Sequence, residues 1–273
     1  MKHLPGLAAC LVVVAGALTA CVSEPREAPL PDGVTAVVDQ GRMQRQGRDV
    51  FVRLTNPTDQ DLQVTALTLS STRSPAAAWE GEEDVAAGYE ADVVLPLPEG
   101  RCGPSTRFRV SLEYRVGNGD PVRSSLDVED RYGAVTRVLD ADCARATLLA
   151  AARLTVGRPV AEGDVLRVPV TLDPRRPTSQ VRVLGYRPTP LVRPATGSAV
   201  DVAVRGTAPL RADLVLEPAR CDPHAIAEDK VGRLVPVEVA APGLPDGTTF
   251  TLPLDREQKV AVLDYVRSAC GLA

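Results

Sequence analysis

The sequence predicts a mainly β protein made of two tandem β-sandwich domains, each closed by one disulfide. Three observations predict it. Short runs of alternating apolar and polar residues recur along the chain, separated by turns rich in Gly and Pro. Aromatic residues make up only 3% of the 273 residues, which suits aliphatic cores built from short strands. A strand-plus-cysteine pattern occurs twice, once in each half.

In the first half the alternation predicts strands at about 34–45, 49–55, 61–70, 91–97, 106–116 and 121–128. Val116-Gly117-Asn118-Gly119-Asp120-Pro121 reads as a hairpin turn, because Asn-Gly tolerates positive φ. In the second half, strands are expected near 147–156, 164–172, 179–187, 199–205, 211–216, 231–239 and 248–254. Pro242, Gly243, Pro245, Asp246 and Gly247 form the last hairpin loop. Six or seven short strands in roughly 110 residues fit an immunoglobulin-like sandwich. The last segment, residues 255–266, reads as a helix, with Asp255 as N-cap and Val260, Leu263 and Val266 on one face. Its counterpart, Arg131 to Asp142, contains Gly133 and more β-branched residues, which weakens a helical reading.

The repeat is explicit in the residues. Ala91-Asp92-Val93-Val94-Leu95 leads to Arg101-Cys102-Gly103-Pro104, and Ala212-Asp213-Leu214-Val215-Leu216 leads to Arg220-Cys221-Asp222-Pro223. Asp49-Val50 and Asp164-Val165 open matching runs upstream. Val138-Leu139-Asp140 and Val262-Leu263-Asp264 match downstream, each ahead of a further cysteine. A duplication selects bridges within halves, Cys102–Cys143 and Cys221–Cys270, over the two other pairings of four cysteines. Loops of this size are worth roughly 4 kcal/mol each in the chain-entropy model. These bridges tie the loop after the fifth strand to a C-terminal segment, unlike the mid-sheet bridge of antibody domains.

The N-terminus reads as a targeting segment. Met1-Lys2-His3 is a basic start, Leu4 to Leu18 is largely apolar, and small residues follow. The apolar run is too short for a membrane span, which needs about 20 residues. Leu18-Thr19-Ala20-Cys21 resembles the lipobox of bacterial lipoproteins, in which the signal peptide is cut before a cysteine that carries lipid. Leu7-Ala8-Ala9-Cys10 also fits that pattern, but its apolar core falls below the roughly 7 residues required. The resemblance implies a signal peptide over 1–20, lipid on Cys21, and anchorage on the extracytoplasmic face of the cell membrane. It is silent on activity. Residues 21–33 are expected to form a tether, whose stretch Ser23 to Gly33, with three prolines, reaches about 35 Å when extended. The domains then cover 34–145 and 146–273.

Composition narrows the function classes. Without residues 1–20 the chain has 30 basic and 35 acidic side chains, a net −5. Arginines number 28 against three lysines, two of them (Lys230 and Lys259) beyond the signal peptide. This bias points to a high-GC genome such as an actinobacterium's. Mild acidity with scattered arginines argues against nucleic acid as a partner.

Beyond the signal peptide the only histidine is His224 and the only methionine is Met43, so multi-histidine and Met-rich metal sites are excluded within one chain. His224 and Glu228 at i, i+4 could share a helix face and hold a metal weakly. The plainer reading makes Asp222 the cap of a short helix and turns Glu228, Asp229 and Lys230 to solvent. Trp79, in an exposed-looking stretch, is the single candidate for stacking on a ligand. Glu80-Gly81-Glu82-Glu83-Asp84 reads as a solvated acidic loop. No nucleophile elbow, Ser-x-x-Lys, zinc-protease or phosphate-loop motif occurs. No catalytic residue, metal or cofactor is therefore assigned. The leading expectation is a non-catalytic interaction or scaffolding protein of the cell envelope with a protein partner. Small-ligand or metal binding between the domains or near His224 comes second, and a carboxylate-based enzyme third.

Overall fold

The computed structural model describes residues 25–104 and 106–272. The segment expected to be a signal peptide, and Cys21, expected to carry lipid, lie outside the described residues. The chain is mainly β, with several sheets, two disulfides and a C-terminal helix.

The first half contains β1 (Arg26–Glu27), β2 (Thr35–Asp39), β3 (Asp49–Thr55), β4 (Leu62–Ser71), β5 (Ala77–Val85), β6 (Glu90–Pro96), β7 (Phe108–Val116) and β8 (Val122–Val128). A helix, α1 (Ala134–Ala151), follows. The second half contains β9 (Ala152–Val156), β10 (Val160–Glu162), β11 (Val165–Val168), β12 (Val170–Pro174), β13 (Arg182–Tyr186), β14 (Val192–Pro194), β15 (Val202–Ala203), β16 (Leu210–Arg211) and β17 (Leu214–Pro218). It ends with α2 (Pro223–Ala227), β18 (Pro236–Ala240), β19 (Thr249–Thr251) and α3 (Arg256–Ala269).

In the first half, a five-stranded sheet β1-β8-β7-β4-β5 faces a three-stranded sheet β2-β3-β6. Alternate residues of both point into one core: Val38, Val52 and Leu54 from the smaller sheet, Leu67, Leu69, Val110 and Leu112 from the larger. The second half divides its strands among three small sheets, β10-β11-β17-β14, β16-β12-β9 and β15-β13-β18-β19, around a second core. Pro169 separates β11 from β12, and the two strands join different sheets. The repeat is visible in the pairing, since β3 pairs with β6 and β11 pairs with β17, both antiparallel. Each bridge then joins the loop after the second partner to a helix or its cap. Cys102 meets Cys143 of α1, with Cα atoms 4.8 Å apart, and Cys221 meets Cys270 at the C-cap of α3, 5.3 Å apart.

Four expectations need correction. Residues 147–151, expected to be strand, complete the 18-residue α1. Its alanines and leucines are strong helix formers. Asp130 caps its first turn by accepting from the backbone N–H of Val135 and Thr136 (3.3 and 2.7 Å). The Glu80–Asp84 run belongs to edge strand β5, paired with β4 along one side only; charged side chains suit such an edge. The Pro-rich segment is not wholly extended into solvent. β1 runs parallel to β8, Ala28 N–H donates to Arg123 O (2.9 Å), Tyr114 OH donates to Pro29 O (3.3 Å), and Leu30 packs on the core. On α3, the buried stripe is Gln258, Val262, Tyr265 and Val266, while Val260 is exposed. Gln258 sits inside because its amide donates to Val156 O and Gly157 O (3.1 and 3.0 Å), and it also completes a capping box with Asp255.

Helix α1 serves both cores. Val135 and Leu139 lie in the first, and Ala144, Leu148 and Ala151 in the second. The chain passes from Ala151 straight into β9 without a linker. Two arginines of the first half grip the same helix. Buried Arg73 pairs with Asp140 at 2.6 Å and donates to Arg101 O at 3.2 Å. Arg48 donates to both oxygens of Asp142 (2.5 and 2.9 Å) and to Pro98 O (3.1 Å). The buried Asp142 carboxylate also accepts from Gly100 N–H at 2.7 Å. Arg48 is the one described non-glycine residue at positive φ (61°). A strained backbone of this kind costs on the order of 1 kcal/mol and persists only where contacts hold it.

Asp142→Ala and Arg48→Ala should each destabilise the protein. The Arg48 side chain is 38% exposed, so breaking the pair should cost about 2 kcal/mol rather than the larger penalty of a fully buried one. The double variant should lose less than the sum of the two. Urea unfolding of all four proteins measures this, and strict additivity would show that the pair does not couple.

Candidate functional site: a cleft at the junction of the halves

The residues singled out in the sequence do not assemble into one site. His224 and Glu228 sit at either end of the five-residue α2, both exposed. Asp222 is the N-cap, accepting from the N–H groups of His224 (2.9 Å) and Ala225 (3.4 Å), and Pro223 occupies the first turn. No cluster of three or more His, Cys, Asp or Glu able to hold a metal occurs among the described residues. Asp229, expected to face solvent, is turned inward. It accepts from Gly232 N–H at 2.5 Å and pairs with Arg233 at 2.9 Å, with its side chain 4% exposed. Trp79 is on β5, half-buried against the first core, and its ring covers Gly81, where an added Cβ would lie 2.6 Å from Cζ2. It is a packing residue of an edge strand and lies outside the cleft described next.

One concavity was not anticipated in detail. It lies where α1 meets the second half and has a volume of about 630 Å³, within the range of ligand clefts. One wall is a stripe of α1. Ala134, Val138, Ala141 and Arg145 recur at helical spacing, with Arg137 beside them. The opposite wall runs along β19 from Thr249 to Thr251 and on through Leu252–Leu254. The β2–β3 connection supplies Arg45, Gln46 and Arg48, and Lys259 comes from α3. Gln46 Nε2 donates to the backbone O of Lys230, so the segment after α2 fastens the first half to the second.

The charge of this lining is uneven. Five cations face it, Arg45, Arg48, Arg137, Arg145 and Lys259, but only one carboxylate, Asp142. Asp142 is fully engaged by Arg48 and Gly100. Elsewhere, two phenols are pushed above their ordinary pKa, Tyr186 and Tyr265, in each case mainly by burial. Both act as neutral donors within the second half. Tyr186 OH reaches Ala212 O, and Tyr265 OH reaches Asp164 O (2.7 Å) and Leu216 O (3.3 Å).

No protein-family model matches this chain, and no curated protein matches it in sequence. Among solved structures it is similar to the YadV chaperone, at 13% identity over 75% of this chain and 91% of that one, with a TM-score of 0.18. It is also similar to the CupB2 chaperone of Pseudomonas aeruginosa, at 10% identity over 74% and 90%, with a TM-score of 0.16. Overlaps this low carry no argument about partner or role.

Replacing Asp222 by Ala should lower stability by about 1 kcal/mol, the usual value of an N-cap. Replacing exposed His224 by Ala should stay within about 0.5 kcal/mol. Thermal and urea melts check both, and a large loss in the His224 variant would reveal a role that its geometry does not show.

Proposed function

We propose that the protein is a lipid-anchored, non-catalytic interaction protein on the extracytoplasmic face of the cell membrane, and that it meets its partner at the junction cleft. One observation carries the second part: the cleft is walled by a helix that belongs to both cores, so it is held in a fixed shape. A preformed concave surface is where recognition is least costly. A non-catalytic role is supported by the chemistry of the lining. Two carboxylates do not converge there, and Asp142 is committed to Arg48.

The anchor rests on Leu18-Thr19-Ala20-Cys21. The docked segment begins at Arg26, five residues after Cys21, so a polyproline-like reach between them is about 15 Å rather than about 35 Å. Lipid on Cys21 thus holds the first half near the bilayer, with the disulfides in the oxidising compartment they require.

The test is site-specific photo-crosslinking in intact cells. A crosslinker at exposed Thr251, on the cleft wall, should capture a discrete membrane-associated adduct, whereas one at Glu80, on the remote β5 edge, should not. Cys21→Ser should release the protein from the membrane fraction. Capture equal at both positions would refute the cleft as the meeting surface. Unchanged membrane retention would refute the anchor.

A further inference from the structure

We infer that the cleft binds a small amphipathic anion, a carboxylate or phosphate head on an apolar chain. This rests on the reading that the cleft is the recognition surface and specifies the chemistry it accepts. The chain as a whole is acidic, with 31 basic and 35 acidic side chains. A lining of five cations and one carboxylate therefore reverses the balance of the molecule.

The cations also differ in how they are held. Arg48 is neutralised by Asp142, and Arg145 pairs with Glu99 at 3.2 Å. The other three, Arg45, Arg137 and Lys259, have no acidic partner among the described residues. Arg137 donates to the backbone O of Tyr132 at 2.6 Å, which leaves its charge uncompensated. Arg45 and Arg137 are exposed and Lys259 is half-buried, and arginine and lysine are the donors that carboxylates and phosphates select.

Between these cations the surface is apolar. Val138 and Ala141 on α1 and Val231 and Leu234 from the second half are half-buried apolar side chains of the lining, and buried Phe250 and Leu252 add little exposed surface. A bare anion would leave that surface wet, and a neutral hydrocarbon would leave the cations unmatched. A ligand with both parts matches the whole lining.

The test uses the Cys21→Ala chain, which carries no lipid, in detergent-free buffer. Dodecanoate, dodecyl phosphate, dodecanol and inorganic phosphate are titrated separately by calorimetry. One or both amphipathic anions should bind, at least tenfold more tightly than dodecanol and than inorganic phosphate. Which of the two binds more tightly tells a fatty carboxylate from a lipid phosphate. Arg137→Gln and Lys259→Gln should each weaken binding about tenfold, in line with a lost charge-assisted hydrogen bond. Raised salt should weaken it further. Arg109→Gln, exposed on β7 with Asp127 as its partner, should leave it unchanged.

Equal binding of dodecanol, equal binding of inorganic phosphate, insensitivity to both cleft variants, or no binding by the parent chain would each overturn the inference. If binding fails while the Thr251 crosslink persists, the interaction reading stands and only the ligand class falls. If the crosslink is also absent, both fall.

Discussion

Everything about the arrangement of this molecule depends on α1 being one continuous helix shared by two hydrophobic cores. Leu139 is fully buried in the first core and Leu148 in the second, nine residues apart on the same rod. Each such side chain is worth about 1.5–3 kcal/mol when withdrawn from water. Bending the halves apart must break the helix or expose one of these residues. The polar contacts act in the same direction. Asp140 and Asp142, two residues apart on α1, take Arg73 and Arg48 from different loops of the first half, and Cys143 is bridged beside them. A short stretch of α1 thus carries core packing, two ion pairs and a covalent link. The cleft inherits its fixed shape from that stretch.

On the sheet faces several arginines pair with acids. Arg53 pairs with Asp92 on the neighbouring strand, Arg109 with Asp127, Arg182 with Asp201, and Arg193 with Glu217. Three of them join neighbouring strands, and Arg182 reaches Asp201 just before β15. Such pairs add little stability, but they cancel charge and set register. Arg45, Arg137 and Lys259 have no acidic partner among the described residues, as is true of other arginines such as Arg42, Arg107 and Arg153, but these three gather around one concavity. The lining is read as recognition chemistry because five cations and one carboxylate converge on it in a chain whose acids outnumber its bases.

The sequence made local features legible and left the junction obscure. The bridges followed from the repeat because a duplicated frame restricts which cysteines can meet. The Asp255 cap of α3 and the turn after Val116, where Gly119 N–H reaches Val116 O at 2.9 Å, were legible because caps and tight turns depend on residues next to each other in sequence. β5 was hidden because an edge strand exposes its charged side chains, so apolar alternation is lost there. The length of α1 was hidden because its stripe changes cores after Cys143, which breaks the single periodicity a helix in one core would show. The cleft cations were hidden because 28 arginines are spread over the chain, and only folding shows which of them lack an acid.

The register of the repeat explains how the junction arises. The Val-Leu-Asp triplets invite an alignment that the helices do not follow. Counted back from the cysteines, Leu139 and Val135 precede Cys143 by four and eight residues, as Val266 and Val262 precede Cys270, and all four are fully buried. Up to the cysteine, then, α1 and α3 present the same i, i+4, i+8 stripe to their own cores. Beyond it they differ. α3 ends at Ala269 with Cys270 as its cap, whereas α1 continues to Ala151 and carries Ala144, Leu148 and Ala151 into the next core. That extension fuses the two copies and sets the stripe from Ala134 to Arg145 against β19. The cleft is therefore a property of the tandem that neither repeat possesses alone. The region of His224 contributes to it through the segment after α2, where Gln46 donates to Lys230 O across the junction. The two halves thus share a cysteine-to-core frame and differ in the helical extension that joins them.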